Sequence, residues 1–130
     1  MQLNVTTDYA VRIVLYLAIK KDYVNSSEIS REMGIPRTYI LKLTKNLKDA
    51  GIIGEKRGVV GGFILKKDPD ELTLWDVYKV FERTMVLNRC LEEDEHCSRD
   101  AVSYCTVRKF LVEVQSEVIR MMSKRISDFL

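Results

Sequence analysis

The 130-residue sequence is poor in residues that interrupt regular structure, with only two prolines and six glycines. That scarcity excludes a collagen-like chain, and 46% apolar with 31% charged residues excludes a disordered one. Long apolar runs are lacking too. The longest, Val11 to Ile19, is broken by Arg12 and falls short of the roughly 20 residues of a membrane span. No basic stretch, apolar run and small-residue cleavage site open the chain, so no signal peptide is expected and the expected compartment is cytoplasmic. There is one histidine, with no nucleophile motif, no phosphate-binding loop and no paired carboxylates outside the run Glu92-Glu93-Asp94-Glu95. An enzyme is therefore not expected. Three cysteines cannot all pair within one chain, and a reducing compartment disfavours structural disulfides. What is present is enough chain for one hydrophobic core, in a composition that leans towards helix.

The charge is unevenly placed. Residues 1–35 carry four basic and four acidic side chains, residues 36–67 eight and two, and residues 68–130 nine and thirteen, giving 0, +6 and −4. A basic block on an otherwise balanced chain is the footprint of a polyanion binder, although charge alone would sooner describe a solvated helix face. The local structure expected around the block decides for the binder.

Thr6-Thr7-Asp8 ahead of Tyr9, Ala10, Ile13, Val14, Leu17 and Ala18 predicts a capped first helix ending near Lys20 to Asp22, with Asp8 in its first turn. Asn25-Ser26-Ser27-Glu28 has the form of a capping box for a second helix over Ser26 to Met33, with Ile29 and Met33 inward and Gly34 closing it. Pro36 suits the first position of a third helix, whose stripe of Ile40, Leu43, Leu47 and Ala50 runs to Gly51. Two helices about a glycine turn make a helix-turn-helix, the second helix entering the major groove. Arg37, Thr38 and Tyr39 are then placed for base edges, and Lys42, Lys45, Lys48 and Lys56 for phosphates.

Ile52 to Arg57 and Gly62 to Lys66, joined by Gly58-Val59-Val60-Gly61, predict a hairpin wing with Arg57 at its base, in reach of the minor groove. Thr73-Leu74-Trp75-Asp76 is a second capping box, opening a helix with Val77, Val80 and Phe81 inward and Trp75 in the core. A long helix is expected from Val102 to Leu130. Within it Val107, Leu111, Val114, Val118 and Met121 recur as a heptad seam. Such a seam either packs on its own domain or pairs with a second copy, and a double-stranded DNA operator with two-fold symmetry favours the second, a homodimer.

Asp8-Tyr9-Ala10, Leu15-Tyr16-Leu17-Ala18, Ile29-Ser30 to Ile35, Tyr39-Ile40, Leu47, Ala50-Gly51-Ile52, Arg57-Gly58 with Gly61-Gly62-Phe63 and Leu65, and Leu72 to Val77 form one pattern across residues 2–81. It resembles the Rrf-two family of bacterial winged-helix transcription regulators, of the IscR, NsrR, RirA and CymR type. The resemblance implies a DNA-binding regulator, a repressor, whose three cysteines beyond the wing hold an iron-sulfur cluster. Here those are Cys90, Cys97 and Cys105, and thiolates are the ligands such clusters use. The start, Met1-Gln2-Leu3 with Thr7-Asp8-Tyr9, is most similar to the nitric-oxide-sensing branch, in which a matching aspartate comes from the other subunit. That implies Asp8 as fourth ligand, with His96 beside Cys97 as the alternative. Asp8 is equally explained as a first-turn carboxylate favoured by the helix dipole.

Six residues separate Cys90 from Cys97, one more than is usual in the cluster-binding branches. The resemblance leans to a 4Fe-4S cluster over 2Fe-2S, and leaves nitric oxide, redox state and iron supply open as signals. Zinc held by Cys90, His96, Cys97 and Cys105 is a further metal reading. So is a cluster-free regulator governed by a partner protein. The expected organisation is mainly α with a small β-hairpin: a winged helix-turn-helix DNA-binding domain over residues 1–83, a cysteine-containing sensor loop over 84–105 and a dimerisation helix over 106–130. The acidic run Glu92 to Glu95 is expected to be a solvated loop.

Overall fold

Asn4, not the Thr6-Thr7 pair, caps the first helix, α1 (Val5–Lys20). Its side chain accepts the Thr7 N–H at 2.9 Å in the computed structural model, which describes residues 2–130. Hydroxyl and amide side chains cap about equally well, and tertiary bonds decide here. The Asn4 amide donates to the Phe81 carbonyl at 3.2 Å, while the hydroxyl of fully buried Thr7 donates to Glu82 at 2.6 Å. Met1, part of the start singled out above, lies outside the described residues. The inward face of α1 buries Ala10, Ile13, Val14, Leu17 and Ala18.

The next helix, α2 (Ser26–Met33), starts on Asn25, whose side chain accepts the Glu28 N–H at 2.8 Å. The reciprocal half of the expected capping box is not made. Glu28 instead accepts the Tyr16 hydroxyl at 2.6 Å, tying α1 to α2, and stands 3.5 Å from Lys20. That bond pushes the Tyr16 hydroxyl up to about 12 and lowers the Glu28 carboxyl. Gly34 ends α2 in the left-handed region at φ 63°.

Pro36 stands just before α3 (Arg37–Asp49), one position earlier than expected. Ile40, Leu43 and Leu47 are buried as the stripe predicts, but Ala50 is exposed. Thr44 takes the fourth inward place, its buried hydroxyl satisfied by the Ile40 carbonyl at 2.7 Å.

The wing is β1 (Ile53–Lys56) paired antiparallel with β2 (Gly62–Leu65), Ile53 opposite Leu65 and Lys56 opposite Gly62. Phe63 also exchanges backbone bonds of 2.8 and 2.9 Å with Val24, so the hairpin is fastened to the segment before α2. Two close approaches explain the paired glycines, one within the hairpin and one to Val24. A Cβ on Gly61 would lie 2.1 Å from the Lys56 carbonyl oxygen, and one on Gly62 2.3 Å from that of Val24.

The capping box of α4 (Leu74–Phe81) forms in full between Thr73 and Asp76. Val77 is buried, with Val80 and Phe81 packed against the core. Trp75 is only half-buried, because its side chain lies off the Val77 face of this short helix.

The last helix, α5 (Thr106–Met122), is shorter than expected at both ends. Residues 102–105 form a turn, and beyond Met122 the chain doubles back. Ile126 donates its N–H to the Leu72 carbonyl at 2.8 Å, Leu74 donates to Lys124 at 3.0 Å, and Ile126 is fully buried in the same core as Leu17 and Val77. Residues past Met122 therefore complete the first core instead of extending the seam. Gln115, buried on α5, clasps the preceding loop by donating to Met85 O and accepting from Leu87 N at 2.9 and 2.8 Å. Among the described residues no helix is long and apolar enough to cross a membrane.

Candidate functional site

The helix-turn-helix α2–α3 and the wing carry the basic block outward. Arg37, Thr38, Lys42, Lys45, Lys56 and Arg57 are exposed and Lys48 is half-buried. Lys45 pairs with Asp49 at 3.2 Å and Lys48 with Glu55 at 3.3 Å. Among the described residues Arg37, Lys42, Lys56 and Arg57 form no ion pair with a carboxylate, so their charge is free for phosphate. Lys56 lies 5.6 Å from the centre of the Tyr23 ring. Tyr39 differs from its neighbours. Its half-buried ring meets that of Tyr9 edge to face at 5.2 Å, which makes it first a support that docks α3 on α1.

Arg12, which sequence reasoning passed over, ties this interface to the start of the chain. Its guanidinium donates to Asp8 at 2.7 Å and to the Met33 carbonyl, at the turn between α2 and α3, at 3.0 Å. It also lies 5.2 Å from the centre of the Tyr9 ring. Arg12 breaks the apolar run of α1, and that polar interruption is the signal that could have marked it.

Cys90, Cys97 and Cys105 are half-buried and unpaired, and all three line one cavity of about 340 Å³ together with His96. Each sulfur is met by N–H groups. The Asn88 amide lies 3.4 Å from Cys90 Sγ, and Cys105, which caps α5, accepts the Arg108 N–H at 3.4 Å. The backbone N–H groups of Ala101 and Arg99 hold the Cys97 thiol below its ordinary range, towards thiolate. Among the described residues no three of His, Cys, Asp and Glu are grouped so as to hold a single metal ion. The thiols surround a space rather than meet at a point. Asp8 is not among them: within the chain it lines a separate cavity with Gln2, Leu3, Val11 and Tyr78.

The acidic run is a loop with Glu93, Asp94 and Glu95 exposed, as expected, but two arginines tether it. Asp94 takes the fork of Arg89, which holds its carboxyl down at about 2, and Glu92 accepts the Thr84 hydroxyl at 3.1 Å. Glu95 stands 3.5 Å from Arg108, whose guanidinium also donates to the Cys90 carbonyl at 3.3 Å. Arg89 and Arg108 thus brace the cysteine loop from either side. Their places, directly before Cys90 and three after Cys105, were visible in the sequence, but their partners were not.

Over residues 3–127 the chain matches the sequence model of the Rrf2 (Rrf-two) family, described as “Iron-dependent Transcriptional regulator”. The chain belongs to the Rrf-two family. It is 32% identical to a protein of Aquifex aeolicus named for an HTH-type transcriptional regulator, over 87% of this chain and 79% of that one. It is 30% identical to the HTH-type transcriptional regulator NsrR of Halalkalibacterium halodurans, over 95% of this chain and 86% of the relative. Among solved structures, CymR, the global cysteine regulator of B. subtilis, superposes with a TM-score of 0.80 at 22% identity, covering 99% of this chain and 95% of its own. IscR of T. potens gives 0.77 at 19%, covering 99% and 85%. These two show the winged-helix fold. As an Rrf-two protein the chain is a helix-turn-helix transcriptional regulator and not an enzyme.

Proposed function

We propose that this Rrf-two protein is a homodimeric cytoplasmic repressor that binds a two-fold operator through α3 and the wing, and that Cys90, Cys97 and Cys105 hold an iron-sulfur cluster whose state sets that binding. The observation that carries the sulfur site is three cysteines about one cavity, each sulfur met by an N–H donor, with the Cys97 thiol drawn towards thiolate. The cavity wall continues into Val107 and Leu111 of the α5 seam, and along α5 Val107, Phe110 and Met121 stay 62%, 62% and 63% exposed. That continuity supports a site beside the contact between two copies. Asp8 of the second copy supplies the fourth ligand in this reading, and His96, which lines the same cavity, is the rival.

Bound there, a cluster supplies iron that nitric oxide or oxidants attack, which makes the site responsive to a signal. The protein's own contribution is the connection from Asp8 inward. Asp8 shares Arg12 with the Met33 carbonyl, and Arg12 stacks on Tyr9, which supports Tyr39 of α3. Recruiting the Asp8 carboxylate elsewhere leaves Arg12 to the helix-turn-helix alone, a change at the element that sets the pitch of α3.

Anaerobic isolation followed by iron and acid-labile sulfide analysis tests this reading. About four of each per chain supports 4Fe-4S, and about two of each supports 2Fe-2S. Zinc without sulfide, or no metal, overturns the sensor and leaves the DNA interface standing. Asp8→Ala should destabilise the cluster; an unchanged cluster and response assigns Asp8 to the helix dipole and Arg12 only.

A further inference from the structure

The recognition helix leaves one large apolar side chain in water. On α3, Ile40, Leu43 and Leu47 are turned fully inward, while Leu41 is 77% exposed. Its neighbours on that surface, one turn back and one turn on, are Arg37, Thr38 and Lys45, with Lys42 next to it, and all four are exposed. Thr44 does not compete for the same space, because its hydroxyl is folded back on the Ile40 and Leu41 carbonyls at 2.7 and 3.2 Å. A leucine ringed by cations therefore stands on the N-terminal half of the helix, where recognition helices meet base edges.

The surface that fits this arrangement must be anionic at its edges and apolar at one point. The major groove is built that way. Phosphates line its rims, and the 5-methyl group of thymine is the apolar mark on its floor that distinguishes one base pair from the others. Arg37 and Lys42, exposed and without a carboxylate partner among the described residues, can meet the rims. We infer that Leu41 is a specificity-determining residue that packs on a thymine methyl group in each half of the operator. This rests on the DNA interface and not on the sulfur site.

The test begins with selection of duplexes from a random pool by the full-length protein. Affinity is then measured with each thymine of the selected site replaced by uracil, which removes only the methyl group. One thymine per half-site should be found at which uracil weakens binding about fourfold, the equivalent of one buried methyl group. Leu41→Ala, an exposed helix position that tolerates alanine, should bind the thymine duplex more weakly by at least that factor. It should also be indifferent to uracil at that thymine. No uracil-sensitive thymine, or a Leu41→Ala protein as uracil-sensitive as the parent, overturns the assignment and returns Leu41 to a protein contact. Failure to enrich any duplex overturns the DNA interface itself, and the inference with it.

Discussion

Gly62 allows the wing to lie against the backbone of Val24, a residue far away in sequence, while Gly61 makes room for the Lys56 carbonyl within the hairpin. The Gly-Gly-Phe pattern was legible; the Val24 carbonyl that requires Gly62 was not, since it comes from another part of the chain. Gly62→Ala places a Cβ 2.3 Å from the Val24 oxygen at a backbone φ of 149°, and should cost about 2–4 kcal/mol in urea unfolding. Gly51→Ala, with φ 74° but no atom within 4 Å, should cost only about 1 kcal/mol. A second residue-level expectation concerns Asp94. Arg89 holds its folded-state carboxyl at about 2, below the ordinary 3.8, so its contribution is complete above the unfolded value and lost as pH falls from about 4 to about 2. The difference in urea midpoint between the parent and Asp94→Asn should be constant near neutrality and vanish across that acid window. A difference that persists at pH 2 would place the stabilisation elsewhere.

At the scale of elements, helix ends marked by Asn25, Gly34, Thr73 and Asp76 were readable because local side chains make the caps. The end of α5 was not. The seam of Val107 to Met121 stops at its last apolar position, and the next heptad places, Arg125 and Asp128, bond to each other at 3.1 Å while Ile126 is drawn into the first core. Periodicity located the helix, but long-range burial decided its length. The cysteines were legible as residues and their shared cavity only as a fact of structure, and the ligand role proposed for Asp8, which lines a separate cavity within the chain, requires a second copy. The recognition helix gives a prediction of its own. Among the described residues Lys42 has no carboxylate partner whereas Lys45 pairs with Asp49, so Lys42→Ala should reduce the slope of log affinity against log salt by about one. Lys45→Ala should change it less, and equal losses would show that the Asp49 pair opens on DNA.

At the scale of the whole molecule, the proposed homodimer rests on the apolar exposure of α5. Phe110→Glu places a charge at a position that is 62% exposed in the single chain, so it should leave the fold intact and convert the dimer to monomer by sedimentation, with operator affinity lost. A dimer that survives would move the interface off this face. The short helix α4 is clasped by both ends of the chain, Asn4 bonding to Phe81 and Glu82 at one end and Lys124 and Ile126 bonding to Leu74 and Leu72 at the other. The stretch past α5 therefore acts as a keystone: emptying the Ile126 position opens a void in the core that also holds Leu17 and Val77. A substitution at Ile126 should weaken the DNA-reading half through stability alone, although the residue lies past α5 and away from the basic block.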